Sequence, residues 1–215
     1  MRLNVGCGQT PTPGWRNLDN SFALRLAPWP RLTALAARFG ILEPPQVAFI
    51  AFARRGEVEW ADARRLPCPD SSVDALYTSH MIGYLDQVEV LSFLAEAHRV
   101  LRPGGVFRIS VPDLNRLVSA YSQTGDADAF VASTYLTVPK PRTFSQRVRL
   151  ALVGPRQYHW LYDCRSLCGL LEKNGFSDAV RREPGTTGIP EPGALDLRER
   201  ESQSLYVEAI KPNRA

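Results

Sequence analysis

The sequence predicts an α/β fold, a mostly parallel sheet with helices on both faces, and three observations carry that expectation. Short apolar runs suited to buried strands alternate with longer segments at helical spacing through most of the chain. The first run, Leu3-Asn4-Val5, breaks into Gly6-Cys7-Gly8, where glycine lets the backbone approach a ligand closely. Later runs end in Asp19, Asp62, Ser79-His80 and Pro112-Asp113, and in an open α/β sheet ligands bind beyond the carboxyl ends of the strands.

Length and composition narrow the class. A chain of 215 residues suffices for one well-buried domain, so we expect a single domain over 1–215 with helical insertions at about 21–56 and 123–160. Hydrophobic content of 44% and charged content of 22% exclude disordered and fibrous classes. The net charge is +4, and three of the 26 basic residues are Lys (Lys140, Lys173, Lys211). Arginine suits bidentate contact with carboxylates or phosphates, but a charge this modest argues against nucleic acid as a partner. No charged leader with an apolar core opens the sequence and no run of about 18 apolar residues occurs, so neither a secretory signal nor a membrane span is expected. Cys7, Cys68, Cys164 and Cys168 form no Cys-x-x-Cys pair; we expect reduced thiols, no metal site and a cytoplasmic protein.

Each element follows from local pattern. A second strand, Trp15 to Leu18, delivers Asp19, and the nine residues between Gly8 and Leu18 leave too little room for a helix of about three turns. In 21–56, Leu24, Leu26, Trp29, Leu32, Leu35, Ala36 and Phe39 fall at helical spacing among Arg25, Arg31 and Arg38, and Pro44-Pro45 opens a second apolar stretch, Val47 to Ala53. This predicts a pair of short amphipathic helices, which could pack on the core, cover a substrate or make a peripheral membrane contact. Val58 to Asp62 is the third strand, 66–72 a Pro-rich loop, and Val73 to Ser79 the fourth strand. Asp86 with Glu89 has capping-box spacing before a helix whose inner face is Val90, Leu91, Phe93, Leu94, Ala97 and Leu101; Arg102-Pro103-Gly104-Gly105 should stop it. Val106 to Val111 is the fifth strand, followed by helical patterns at 115–122, 126–136 and 143–152. A helix over 163–173 closes at Asn174-Gly175, and strands Asp178 to Arg182 and Leu205 to Lys211 flank a Gly/Pro-rich loop.

Taken together, Leu3 to Gly8, the Leu-Pro-x-Pro-Asp-x-Ser-x-Asp segment at 66–74, the Arg99-Val100-Leu101-Arg102-Pro103-Gly104-Gly105 helix end and the final strand resemble a class I S-adenosylmethionine-dependent methyltransferase of the type 11-like group. The resemblance covers about residues 2–120 and 160–211. It implies a Rossmann-like seven-stranded sheet with the last strand antiparallel, and S-adenosylmethionine as cofactor over the first four strands. It further implies methyl transfer to oxygen or nitrogen of a small-molecule or glycan acceptor. By motif position Val5, Gly6, Cys7 and Gly8 would approach the methionyl part, Asp19 the ribose, Asp62 with Ala63 the adenine amine, and Ser79 with His80 the reactive methyl. The alternative for Asp19 and Asp62 is ordinary strand-end capping, and Asp113 could equally cap the following helix. Two departures stand out. The short first connection removes the usual helix beside the glycines, leaving backbone amides or an arginine such as Arg16 for the donor carboxylate. Where relatives often show His-x-Leu-Glu-His, this chain has His80-Met81-Ile82-Gly83-Tyr84. Transfer demands alignment and removal of the acceptor proton, for which His80, Asp113 and His159 are the candidate bases. The missing Glu and His leave a non-catalytic binding module as an alternative, and the arginine excess leaves nucleic-acid or protein methylation.

Overall fold

The computed structural model describes residues 1–42, 44–137, 140–144, 146–147, 150 and 157–213. Its frame is one sheet of seven strands: β1 (Arg2–Val5), β2 (Arg16–Asp19), β3 (Glu59–Trp60), β4 (Val73–Ser79), β5 (Leu101–Pro112), β6 (Ser177–Arg182) and β7 (Ser204–Ile210). They stand in the order β3-β2-β1-β4-β5-β7-β6. β7 runs antiparallel to both neighbours while the pairs among β1 to β5 are parallel, so the expected architecture is present. The order reverses direction at β1 and β4, which creates the crevice where ligands bind in such sheets.

Between β2 and β3 lie three helices rather than the expected pair: α1 (Phe22–Leu26), α2 (Pro30–Arg38) and α3 (Pro44–Ala53). Pro30 and Pro44 take the first helical positions, where a missing N–H costs nothing. β3 is shorter than expected, so Asp62 sits in the turn beyond it. After β4 a short 3₁₀ turn (Ile82–Tyr84) leads to α4 (Gln87–Val100), which starts on the expected capping box between Asp86 and Glu89. Arg102 to Gly105 belongs to the start of β5 and not to a loop: Leu101 pairs with Val73 and Val106 with Ala75, so the intervening residues bulge. At Gly105 a Cβ would come 2.8 Å from the Arg102 carbonyl, which is why glycine is needed there. α5 (Leu114–Thr124), α6 (Ala127–Thr134) and α7 (Cys164–Lys173) follow. Half of the helix expected over 143–152 falls outside the described residues.

The two sheet faces differ. One carries Leu3, Val5, Leu18, Leu76, Phe107, Ile109 and Val207, and buries Phe93, Leu94 and Ala97 of α4 and Leu167 and Leu171 of α7. Arg99 of α4 fastens the Pro-rich loop to this layer by donating to the carbonyls of Leu66 and Cys68 and pairing with Asp70. The other face carries Asn4, Asn17, Tyr77, Arg108, Ser110, Tyr206 and Glu208, and what covers it is the irregular stretch from 183 to 203 together with Trp15.

Candidate active site

The site is built at the tips of β1, β2 and β4. At the end of β1 the chain turns at Gly6, whose φ of +73° favours glycine, and a Cβ there would lie 2.5 Å from Met81 Cγ just beyond β4. Gly6 N–H and Cys7 N–H both donate to Leu18 O, at 2.7 and 3.2 Å, closing the loop onto β2. Gly8 N–H donates to Asp19 Oδ2 at 3.0 Å, and Asp19 Oδ1 accepts from Ser21 N–H at 2.8 Å. The Asp19 carboxylate therefore fastens the glycine loop to the start of α1. The space beyond the Gly8 Cα is open, and the buried Ser21 Oγ beside Asp19 has no hydrogen-bond partner. Open backbone, a carboxylate and an orphan hydroxyl are what the ribose and amino-acid end of a nucleoside donor require, so the residues present fit S-adenosylmethionine.

The remaining expected donor residues lie nearby with their own engagements. Asp62 is clamped by Arg64, which reaches its Oδ2 at 2.8 Å through Nη2 and pairs with Glu89 through Nη1. Those hydrogen bonds hold the Asp62 carboxyl below its usual range. Ala63 is buried next to it. Cys7 points away from the cleft into the small core of α1 and α3, with Leu24, Phe49 and Ile50. Burial and the nearby Asp19 push its thiol up to about 12, so it is an inert packing residue at neutral pH. Arg16 is at the far end of β2, bidentate to Glu59, and does not reach the donor loop.

Ser79 ends β4 opposite Ser110, and His80 follows in a left-handed conformation with φ of 51°, a strained choice for a non-glycine residue. The His80 ring is buried, with Nε2 2.9 Å from Ser204 Oγ and Nδ1 3.4 Å from the Tyr158 hydroxyl. Ser204 Oγ donates its single proton to Glu199 O at 3.0 Å. It must therefore accept from Nε2–H, which assigns the lone pair of the neutral ring to Nδ1. Burial, with the Arg200 charge adding to it, lowers the imidazole to about 4.

Residues 157–162 form a wall over the tips of β4 and β5. His159 and Trp160 N–H groups donate to Gly83 O at 2.7 and 3.2 Å, and Tyr162 O accepts from Leu114 N–H at 3.0 Å. His159 itself is solvent-exposed. Tyr158 lies against Gly83, where a Cβ would meet its ring at 2.7 Å. Asp113 is buried as the cap of α5, accepting from Asn115 N–H at 3.0 Å, with Arg116 and Arg181 at 3.7 and 3.9 Å. It also borders a cavity of about 350 Å³ lined by Asn115, Arg116 and Arg181. The structure thus brings His80, Tyr158 and the backbone of His159 together and leaves Asp113 on the β5 side. Ser21, Met81, Tyr158 and Ser204 were not singled out by sequence. A serine two residues after a strand-end acid was the one signal available for Ser21; the others depend on long-range contacts.

Residues 3–109 match the Methyltransferase domain family. The ubiquinone/menaquinone biosynthesis C-methyltransferase UbiE of Methylobacterium nodulans is 40% identical over 77 residues, 33% of this chain and 30% of that protein. A probable S-adenosylmethionine-dependent methyltransferase of Mycolicibacterium smegmatis is 42% identical over 60 residues, 27% of this chain and 22% of that protein. The matches therefore span less than a third of either relative. A SAM-dependent methyltransferase of Methanosarcina mazei shares the fold at 15% identity and a TM-score of 0.54, with 99% of this chain and 92% of that one covered. Strand order, glycine loop, strand-end acids and family match agree, and the chain belongs to the class I S-adenosylmethionine-dependent methyltransferase family.

Proposed function

We propose that this chain transfers the methyl group of S-adenosylmethionine to an oxygen or nitrogen of a small-molecule or glycan acceptor. The observation that carries the reading is the Asp19 carboxylate holding Gly8 N–H beside an open backbone and the unpartnered Ser21 hydroxyl. When bound, the donor supplies an electrophilic methyl on a sulfonium, and the protein's part is to align and shield. Asp19 and the glycine loop hold the nucleoside and amino-acid ends, and residues 157–162 exclude water above β4. His80 orients Tyr158 through Nδ1; with its pKa near 4 it is a weak proton acceptor at neutral pH. That favours acceptors already nucleophilic, such as amines or acidic hydroxyls. A second reading, transfer to carbon, is supported by the likeness to UbiE C-methyltransferases over a third of the chain.

Calorimetric titration with S-adenosylmethionine tests the reading. Wild type should bind, and Asp19→Ala should weaken binding by roughly 10- to 100-fold, the worth of one or two hydrogen bonds to a charged group. No heat at millimolar donor would overturn it. Methyl transfer to a component of a cell extract, lost in Asp19→Ala, would exclude a purely non-catalytic binding role.

A further inference from the structure

α2 is the one helix of the insertion whose apolar side faces outward. Its inward side is small: Thr33 is buried, its hydroxyl within reach of the Trp29 and Leu26 carbonyls at 3.0 and 3.2 Å with one proton to give, and Ala36 and Ala37 rest on the core beneath. Arg54 at the end of α3 holds this arrangement from below, with Nε on Ala27 O at 3.0 Å and Nη2 on Thr33 Oγ1 at 3.3 Å. On the outward side Trp29 is 60% exposed, Leu32 51%, Leu35 52% and Phe39 64%. At about 100° per residue, Leu32, Leu35 and Phe39 fall within an arc of roughly 60°, and exposed Arg31 and Arg38 lie beside it. Three large apolar side chains on so small an arc, with Trp29 beside them at the helix start, are not scattered surface residues; they make a stripe that water solvates poorly.

Charge identifies the partner. Residues 21–56 hold five arginines (Arg25, Arg31, Arg38, Arg54 and Arg55) against a single acid, Glu43, so this segment alone accounts for the +4 of the whole chain. The remainder of the protein is neutral. An apolar stripe with tryptophan at one end and phenylalanine at the other, flanked by long cationic side chains, matches the interface of an anionic lipid bilayer. We propose that the outward face of α2 lies in the headgroup region of an anionic membrane, with Trp29, Leu32, Leu35 and Phe39 inserted and Arg31 and Arg38 paired with lipid phosphates.

The position of the insertion gives the contact a consequence. Cys7 of the glycine loop is part of the same small core as α1 and α3, and Gln9 donates to Pro45 O at 3.4 Å. Docking through α2 therefore sets the donor loop at a fixed depth above the membrane, the placement that suits an acceptor carried by lipid.

The test is co-sedimentation of the full chain with vesicles of phosphatidylglycerol and phosphatidylcholine, and with phosphatidylcholine alone. Binding is expected to the anionic vesicles, falling as salt is raised. Trp29→Ser/Phe39→Ser and, separately, Arg31→Glu/Arg38→Glu should each reduce the partition coefficient roughly tenfold or more. Unchanged circular dichroism and unchanged S-adenosylmethionine affinity should accompany both, because these side chains point outward. Equal binding to both vesicle types would overturn the anionic assignment, and no binding to either would overturn the membrane. Concentration-dependent dimerisation in solution abolished by Trp29→Ser/Phe39→Ser would reassign the face to a second copy of the chain. Because donor affinity is read separately, a failed vesicle assay leaves the methyltransferase reading standing, and a failed titration leaves the membrane result standing.

Discussion

The two faces of the sheet are buried by opposite means. Under α4 and α7 the strands present aliphatic and aromatic side chains, and Phe93, Phe107 and Phe176 interlock with ring centroids 5.3 to 5.8 Å apart. On the other face Arg108 is fully buried and ion-paired with Glu208 at 2.7 Å, beneath an irregular loop. The pair also organises that loop. Arg108 donates to Thr186 O at 2.8 Å and Leu197 O at 3.2 Å, while Glu208 accepts from Thr187 Oγ1, Gly188 N–H and Arg182. Burial pushes the Glu208 carboxyl up, and these hydrogen bonds more than reverse the effect, leaving it below the usual carboxylate range. A helix satisfies its own backbone and needs only an apolar stripe from the sheet. An irregular segment brings unsatisfied carbonyls and amides, so the sheet beneath it must supply donors and acceptors. The short connection from β1 to β2, without its helix, and the polar face are thus two aspects of one construction.

Breaking the pair is the strongest test of this contrast. Arg108→Met leaves the buried Glu208 with the partly exposed Arg182 in place of two cations and should cost up to about 3–5 kcal/mol in urea unfolding at neutral pH. Amide exchange should quicken between Thr186 and Leu197 while α4 keeps its protection; a loss below about 1 kcal/mol would show that the loop needs no charged anchor. Leu171→Ala on the helical side should cost about 2–5 kcal/mol, with no selective loosening of that loop.

At the tip shared by β4, β5 and β7, protonation probes the polar side. The folded pKa of His80 is about 4 against an ordinary 6.5, so on acidification the unfolded chain takes up a proton first. Its contribution is intact above pH 6.5 and declines as the pH falls to about 4, by at most roughly 3 kcal/mol. His80→Gln should flatten the stability profile across that window; a profile of the same slope as wild type would refute a buried neutral imidazole. The smallest effect belongs to the helical side. Asp86→Ala removes the acceptor for Glu89 N–H and half of a capping box, and thermal unfolding should register about 1 kcal/mol.

The contrast also separates what local sequence pattern carries from what it does not. The apolar face was legible because Phe107, Ile109 and Val111 alternate within one strand and Val90, Phe93, Leu94 and Ala97 repeat at helical spacing. Arg108 and Ser110 in that same strand look solvent-facing, since alternation with polar residues reads the same whether the polar side meets water or a loop. Donor-side positions were legible for a different reason. Glycine at a strand end and an acid at the next are imposed by local backbone geometry, and Gly6, Gly8 and Asp19 stand together as that geometry requires. Partners chosen by distant chain segments were not legible: Arg64 on Asp62, Tyr158 and Ser204 on His80, Glu59 on Arg16.

By itself the sequence determined the alternation of strands and helices, the glycine loop, the strand-end acids, the cap at Asp86 and the apolar stripe of α2, because each rests on residues within a few positions of one another. Only the tertiary structure decided that Arg108 is buried, that His80 is a neutral ring between a serine and a tyrosine, and that Trp29, Leu32, Leu35 and Phe39 face outward. Burial and charge state depend on what the fold brings from far along the chain, and local pattern carries no record of that.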